Sequence, residues 1–233
     1  MQPIGIIGGI GPESTIDYYR AMIAAYRERR PDGSYPAIVI NSIDAAAMLG
    51  PLMTGDLDAV ADGLVAELGR LQGAGAGIAA LAANSPHIVF DQVQRRSPLP
   101  LVSIVEATRD EAVRRGLRRA ALFGTRFTMQ GHFYQDVFEK AGVAVIVPDA
   151  AEQAFIHDKY MSELVNGILA PETREGLLGI VAALKARDGI DAVILGGTEL
   201  PLILREPVAS GIPLLDTTVI HANAIVARAL GDR

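Results

Sequence analysis

The stretch AALAANSPH at residues 79–87 decides the fold of this chain, because a second stretch of the same kind, VILGGTELP, stands at residues 193–201. Each is an apolar run that ends in a tight turn of small residues, and each turn carries Asn, Ser or Thr into a predicted helix. An apolar run without alternation is typical of a strand that is buried on both faces of a parallel sheet. The two stretches therefore predict two equivalent buried strands.

Strand patterns alternate with helical patterns along the whole chain, which predicts α/β architecture with parallel sheets covered by helices. The predicted strands are 3–8, 36–41, 77–82, 100–104, 119–124, 143–147, 191–195 and 212–215. The predicted helices are about 13–30, 56–73, 86–94, 105–115, 129–141, 151–168, 172–187, 200–207 and 217–230.

The order of these elements repeats after 114 residues, a shift that places residue 83 on residue 197. Similar helices precede both turns, and similar turns into a strand follow them. We expect two similar α/β halves, residues 1–100 plus 212–233 and residues 101–211. Ligands of open α/β sheets bind at the carboxyl ends of strands, so we expect the duplicated turns to face one cleft.

These turns, together with IGIIGGIGP at residues 4–12 and LFGTRFTM at 122–129, closely resemble the aspartate/glutamate racemase superfamily. The resemblance implies two parallel-sheet halves related by a pseudo-twofold axis, cofactor-independent chemistry on a small carboxylate, and a homodimer. Members of this family usually carry one reactive cysteine at each turn. In this chain the matching positions are Ala83 and Gly197, and the chain contains no cysteine.

The resemblance also implies a substrate carboxylate held by side chains and backbone amides of the turns. The predicted binding residues are Gly9, Asn84, Ser85, Thr125, Thr128 and Thr198. For Asn84, Ser85 and Thr198 the residue types alone admit a second role, since all three are good at capping helices. A dinucleotide site is not predicted in GGIGPES, because Ser14 stands where the third glycine of such a motif belongs.

Without thiols, another group has to move protons, because each positioned acid or base contributes roughly 10²–10⁴-fold to such a rate. Glu199 and His87 are the titratable residues nearest to the two turns. For His87 a packing role is favoured over proton transfer, and His221 has the pattern of a buried helix position. No metal-binding spacing of histidines is present, and Ser85 lacks the surroundings of a hydrolase nucleophile.

Composition excludes other classes. The net charge is −6 and no basic stripe occurs, which argues against nucleic-acid binding. No apolar run reaches the roughly 20 residues of a membrane span, and the start of the chain lacks a signal-peptide pattern, so a cytoplasmic protein is expected.

Three functions stay open: a racemase or epimerase that uses other groups, a lyase or decarboxylase of a small carboxylic acid, and a non-catalytic binder of carboxylates. Aspartate is disfavoured as substrate, because the segment 41–50 lacks the basic residue that dicarboxylate-specific members use there. In addition, Asn166 stands roughly where some members have lysine. The sequence leaves open whether the loss of the thiols is natural or engineered.

Overall fold

The central strands are buried along their whole length, which explains why their sequences are uninterrupted apolar runs. Every residue of the strands Ile4–Gly8, Ile78–Leu81 and Ala192–Gly196 is buried. A computed structural model describes residues 1–232 of the chain. This part of the chain divides into two compact units, and each unit has its own parallel sheet.

The first unit contains Met1–Ile104 and the segment that begins at Thr218. Its elements are β1 (Ile4–Gly8), α1 (Pro12–Arg29), β2 (Ile38–Ser42), α2 (Ala45–Thr54), α3 (Leu57–Gly73), β3 (Ile78–Leu81), a 3₁₀ turn (Ser85–Val89), α4 (Phe90–Arg96) and β4 (Leu101–Val102). The strand order of its sheet is β2-β1-β3-β4, and all neighbouring strands are parallel.

The second unit contains Val105–Thr217, and its first helix begins one residue earlier, at Ile104. Its elements are α5 (Ile104–Arg114), β5 (Arg119–Gly124), α6 (Arg126–Gln130), α7 (Phe133–Glu139), β6 (Ala144–Ile146), α8 (Ala150–Ser162), a 3₁₀ turn (Leu164–Asn166), α9 (Pro171–Asp188), β7 (Ala192–Gly196), α10 (Leu200–Ile203), β8 (Val208–Ala209) and β9 (Ile212–Asp216). The strand order is β6-β5-β7-β9-β8, in which the short β8 is antiparallel to β9. The helix α11 (Thr217–Leu230) then leads into the first unit.

The two sheets repeat one strand order. In each sheet the first strand of the unit lies between the second and the third, and the next parallel strand follows on the far side of the third. The predicted fold class, α/β with two parallel-sheet halves, is therefore confirmed.

Each unit packs helices onto its sheet through side chains spaced three or four residues apart. In α3 the residues Val60, Leu64, Leu68 and Leu71 are all buried, and the helix lies against β1 and β2. This spacing places them on one face of the helix. Burial of one such leucine contributes roughly 1.5–3 kcal/mol to the stability of the unit.

The structure differs from the predicted helices at several points. Helix α2 was not predicted; it begins where the Asp44 carboxylate accepts a hydrogen bond of 2.9 Å from the backbone N–H of Ala46. The helices predicted over 86–94 and 151–168 are each divided into a 3₁₀ turn and an α-helix. The single helix predicted over 129–141 is two helices, because His132 adopts a left-handed conformation with a φ of 59°. The helix predicted over 200–207 ends at Ile203.

The predicted boundary between the halves is also corrected for one strand. Residues 212–233 were expected to join the first half, but β9 pairs in parallel with β7 and so belongs to the sheet of the second unit. The chain enters the first unit only at Thr218. Among the described residues, no helix is both long and apolar enough to cross a membrane.

Candidate functional site

The predicted site residues fall into two groups, one in each unit, and strand pairing brings each group together. In the first unit β1 and β3 are neighbours, so the turn that contains Gly9 lies beside the turn that contains Ala83. In the second unit Gly124 pairs with Gly196, so the turns after β5 and β7 lie side by side. The expectation that Ala83 faces Gly197 across a shared cleft stays a prediction.

In the turn after β3, Ala83 and Asn84 are both buried. The backbone carbonyl of Asn84 accepts a hydrogen bond of 2.9 Å from the N–H of His87, which closes the first step of the 3₁₀ turn. The side chain of Asn84 makes no capping hydrogen bond to that turn within the described chain. Its amide is therefore not acting as the helix cap that its residue type also allowed.

His87 holds the backbone of this turn. Its Nδ1–H donates to the carbonyl oxygen of Ala83 at 3.0 Å, and its Nε2 accepts a hydrogen bond of 3.2 Å from the backbone N–H of Ile104. The ring is 3% exposed and stacks on Phe90 with a centroid distance of 4.9 Å. Both ring nitrogens are occupied by backbone partners, so the geometry supports a positioning role for His87 and not proton transfer.

His221 is buried on α11, as the sequence predicts, and is held in the same manner. Its Nε2–H donates to the carbonyl of Val102 at 2.9 Å, while its Nδ1 accepts from the hydroxyl of Tyr18 at 2.9 Å. Burial, with the neighbouring His221 as a smaller cause, lowers the pKa of His87 to about 3. Burial also lowers the pKa of His221 to about 4. Both rings are therefore neutral at neutral pH.

In the glycine turn after β1, the polar groups hydrogen-bond to one another and to the start of α1. Gly9 has a φ of +85°, and a Cβ there would fall 2.7 Å from the backbone nitrogen of Ile43, so both conformation and space require glycine. The N–H of Gly9 donates to Thr15 Oγ1 at 2.9 Å, and the hydroxyls of Ser14 and Thr15 donate to the carbonyl of Gly11. The amide of Gly9 is thus already bonded to a side chain of α1, which weakens its predicted role as a hydrogen-bond donor to a bound anion.

In the second unit the hydroxyls of Thr125 and Thr128 lie 3.3 Å apart. Thr125 is the N-cap of α6, where its Oγ1 accepts a hydrogen bond from the N–H of Thr128. A Cβ on Gly124 would lie 2.7 Å from the carbonyl oxygen of Gly196, which shows how closely the two strand ends approach. Two glycines therefore allow these hydroxyls to lie beside the turn after β7.

The turn after β7 contains a feature that the sequence did not indicate. A Cβ on Gly197 would fall against the ring of Tyr160, 2.9 Å from both its Cζ and its hydroxyl oxygen. Tyr160 lies on α8 and is 5% exposed. Because φ of Gly197 is outside the left-handed region, the obstacle to a side chain at this position is Tyr160.

Tyr160 and Thr198 both donate hydrogen bonds to the same carboxylate oxygen, Oε2 of Glu199. The bond from Thr198 is 2.9 Å long, and Glu199 is only 6% exposed. Burial, followed by the adjacent Glu199 carboxylate, raises the pKa of Tyr160 well above its ordinary value. The phenol therefore stays protonated. No sequence motif marks Tyr160; only the missing side chain at residue 197 leaves room for it.

Asn166 is exposed and donates a hydrogen bond of 3.1 Å to the carbonyl of Ser162 at the end of α8. Among residues 1–232, no group of three or more His, Asp or Glu side chains is placed to hold a metal ion.

Two repeated parallel-sheet units, each with polar turns directly after its central strands, place the chain in the class of open α/β proteins, in which ligands bind at the carboxyl ends of strands. The chain belongs to the Asp/Glu/Hydantoin racemase family, which it matches over residues 7–225. The broad specificity amino-acid racemase RacX of Bacillus subtilis is 27% identical, over 96% of both chains.

Solved structures agree with this assignment. A crystal structure from Yersinia pestis is 32% identical, covers 99% of this chain and 100% of its own, and has a TM-score of 0.89. An aspartate racemase homologue from Pyrococcus horikoshii OT3 is 34% identical, covers 99% of this chain and 100% of its own, and has a TM-score of 0.84.

The two neutral histidines predict a loss of stability in acid. Below pH 6.5 each of these histidines binds a proton in the unfolded chain but stays neutral in the folded chain. The free energy of unfolding should therefore fall by about 1.4 kcal/mol per pH unit for each ring, down to pH about 4 for His221 and about 3 for His87. In urea titrations between pH 6.5 and pH about 4, the free energy of unfolding of His87→Gln should depend less steeply on pH than that of the unchanged protein. His221→Gln should do the same, whereas equal slopes in all three proteins would contradict this account.

Crowding by Tyr160 predicts that even the smallest side chain is costly at position 197. Gly197→Ala should lower the free energy of unfolding by about 1–3 kcal/mol, the usual cost of overpacking a buried site. Gly179→Ala on α9 is the matched control, since a Cβ there meets nothing within 4 Å, and it should be neutral or stabilising by up to about 1 kcal/mol. Denaturant unfolding measures both, and equal stability of Gly197→Ala and the unchanged protein would mean that Tyr160 yields freely.

Proposed function

We propose that this protein is a cofactor-independent isomerase that acts on a small amino acid or a related carboxylate. The observation that carries the proposal is the match to the racemase family across residues 7–225. The name of its relative RacX, a broad specificity amino-acid racemase, supports an amino acid as substrate. Isomerisation at the carbon beside a carboxylate requires removal of one proton and return of another, and side chains alone can perform both steps.

The carboxylate is proposed to bind at the polar turns that follow the strands. In the first unit the proposed contacts are Asn84 and Ser85, supported by their place directly after the buried strand β3. In the second unit they are the hydroxyls of Thr125 and Thr128 and the backbone N–H of Thr198, whose own hydroxyl donates to Glu199. The adjacent ends of β5 and β7 support this placement. Hydroxyl and amide groups can donate to a carboxylate without adding charge.

Amino acids with one carboxylate are the proposed substrates. A second, buried carboxylate needs a charged partner to offset the loss of hydration. Residues 41–50 provide no basic side chain, and Asn166 is engaged with the end of α8. The proposal therefore places aspartate and glutamate among the poor substrates.

A lyase or decarboxylase is the second candidate, and one observation favours it. Loss of CO₂ needs a single protonation afterwards, and the two turns are unequal in this respect. His87 beside Ala83 has both nitrogens bound to backbone, whereas Gly197 adjoins a phenol and a carboxylate. Proton transfer at one turn suits decarboxylation better than inversion.

A homodimer is also proposed. The alanine-rich helices support it, as do Ile16 and Tyr19, which lie one turn apart on α1 and are nearly half exposed. Light scattering in solution should give twice the mass of the chain, and Ile16→Glu should lower that mass if α1 contributes to the interface. A monomer at all concentrations would contradict this part of the proposal.

The function is tested by α-proton exchange in D₂O, followed by NMR on both enantiomers of alanine, serine, lysine, aspartate and glutamate. We expect exchange on at least one monocarboxylate amino acid and negligible exchange on aspartate and glutamate. Asn84→Ala should raise KM by about 5- to 30-fold, because a hydrogen bond to a charged group contributes about 1–2 kcal/mol. Asn223→Ala, which removes an amide bonded to Arg29 on α1, is the matched control.

The outcomes separate the candidate functions. Exchange without Asn84 dependence would remove Asn84 from the site. Carboxylate binding in calorimetry without any exchange would favour the non-catalytic binder, and CO₂ release from an activated dicarboxylate such as phenylmalonate would favour the lyase.

A further inference from the structure

We propose that the hydroxyl of Tyr160, paired with the carboxylate of Glu199, is the proton-transfer group at the turn after β7. This inference rests on the proposed function and deepens it, since it assigns the chemistry that a side chain at position 197 does not supply. Three features carry it: the place of the phenol, its partner, and its burial.

The phenol occupies the space that a side chain at residue 197 would enter. A Cβ at that position would fall against the ring of Tyr160, 2.9 Å from both its Cζ and its hydroxyl oxygen, so the ring and a side chain at 197 exclude each other. The ring reaches this place from α8, whereas Gly197 directly follows β7. Residue 197 and Tyr160 therefore compete for one volume beside the strand end, and in this chain the tyrosine fills it.

The partner of the phenol can act as a proton store. Glu199 is two residues beyond Gly197, and its Oε2 accepts hydrogen bonds from Tyr160 and from Thr198. The Thr198 hydroxyl fixes the carboxylate so that one oxygen faces the phenol. Because the pair is almost fully buried, the electrostatic interactions within it are stronger than in water.

The proposed step is a relay in which the phenol never carries a net charge. The phenol oxygen accepts the proton of the substrate α-carbon while its own proton moves to Glu199 Oε2. The C–H bond breaks, its electron pair stays on the substrate as a carboxylate-stabilised carbanion, and the carboxylate of Glu199 becomes a carboxylic acid. The reverse relay returns a proton to carbon and regenerates the starting state.

A relay suits this environment better than a free phenolate. A phenolate would be a second negative charge beside Glu199 in a buried place, and burial together with that carboxylate raises the pKa of Tyr160. A concerted transfer through the hydroxyl avoids this species. Within the pair, Glu199 is therefore the base and Tyr160 is the group that contacts the substrate.

The test is the rate of α-proton exchange on the ten-compound amino-acid panel described above, measured for the unchanged protein, Tyr160→Phe and Glu199→Gln. Each variant should lose about 10²-fold or more in kcat, with little change in KM. The control is Tyr134→Phe, which removes the hydroxyl of another fully buried tyrosine of the same unit, bonded to Thr108. Its kcat should match that of the unchanged protein, and thermal unfolding reports whether each variant is folded.

Rescue by a conservative variant separates proton transfer from a purely structural role. Glu199→Asp keeps a carboxylate at this position and should retain more kcat than Glu199→Gln, which keeps the size of the side chain and loses its basic group. Because both variants leave Tyr160 unchanged, they also decide the matter should Tyr160→Phe fail to fold.

Each result supports or overturns the inference. Equal kcat in Tyr160→Phe and the unchanged protein would overturn it while leaving the proposed function intact. Loss of kcat in Glu199→Gln alone would overturn the role of Tyr160 and leave Glu199 as a direct base. Absence of exchange on the whole panel would overturn both the inference and the proposed function.

Discussion

The close approach of β5 and β7 at their carboxyl ends is the constraint on which the second unit depends. Gly124 pairs with Gly196, and a Cβ on either residue would lie within 3 Å of the carbonyl oxygen of a residue in the other strand. The absent side chains let Thr128 pack onto both glycines, so two polar turns can adjoin in a buried place. Larger residues here would separate the strand ends and remove the setting in which Thr125, Glu199 and Tyr160 are held.

The first unit stabilises the corresponding turn in another way. His87 and His221 each use one ring nitrogen as a donor to a carbonyl, of Ala83 and Val102 respectively, and the other as an acceptor. Neutral imidazole can satisfy two such groups at once, and backbone groups left unpaired in a buried turn are costly. In this unit the two buried imidazoles therefore hold the backbone in place, and the stability of the unit depends on their staying neutral.

Periodicity and repetition were sufficient to predict the architecture, because buried parallel strands and the helices between them have distinct patterns. Helix α2 was not predicted, because Gly50 and Pro51 within it weaken the helical pattern of the sequence. In the structure the Asp44 cap stabilises the start of this helix. The break at His132 depends on a single left-handed residue. The sequence identified Glu199 and His87 as the nearest titratable groups. Only the packing shows that His87 is held by backbone partners and that Glu199 is paired with a tyrosine. Tyr160 is 37 residues from Gly197 in sequence, and no local pattern connects them.

The relation between Gly197 and Tyr160 shows how the absence of a side chain on one element makes room for a side chain from another. Loss of a side chain at a turn leaves a buried volume, and a buried volume without atoms is destabilising. Beside Gly197 a ring from α8 occupies this volume and places its hydroxyl next to the turn, so the packing that fills the space also positions a titratable group. No such replacement accompanies Ala83, whose carbonyl is held by His87. The two turns, alike in strand order, therefore differ in their chemistry. One is held by a neutral imidazole, and the other adjoins a buried phenol and carboxylate, so the repeat of the two sheets does not extend to the titratable groups at their ends.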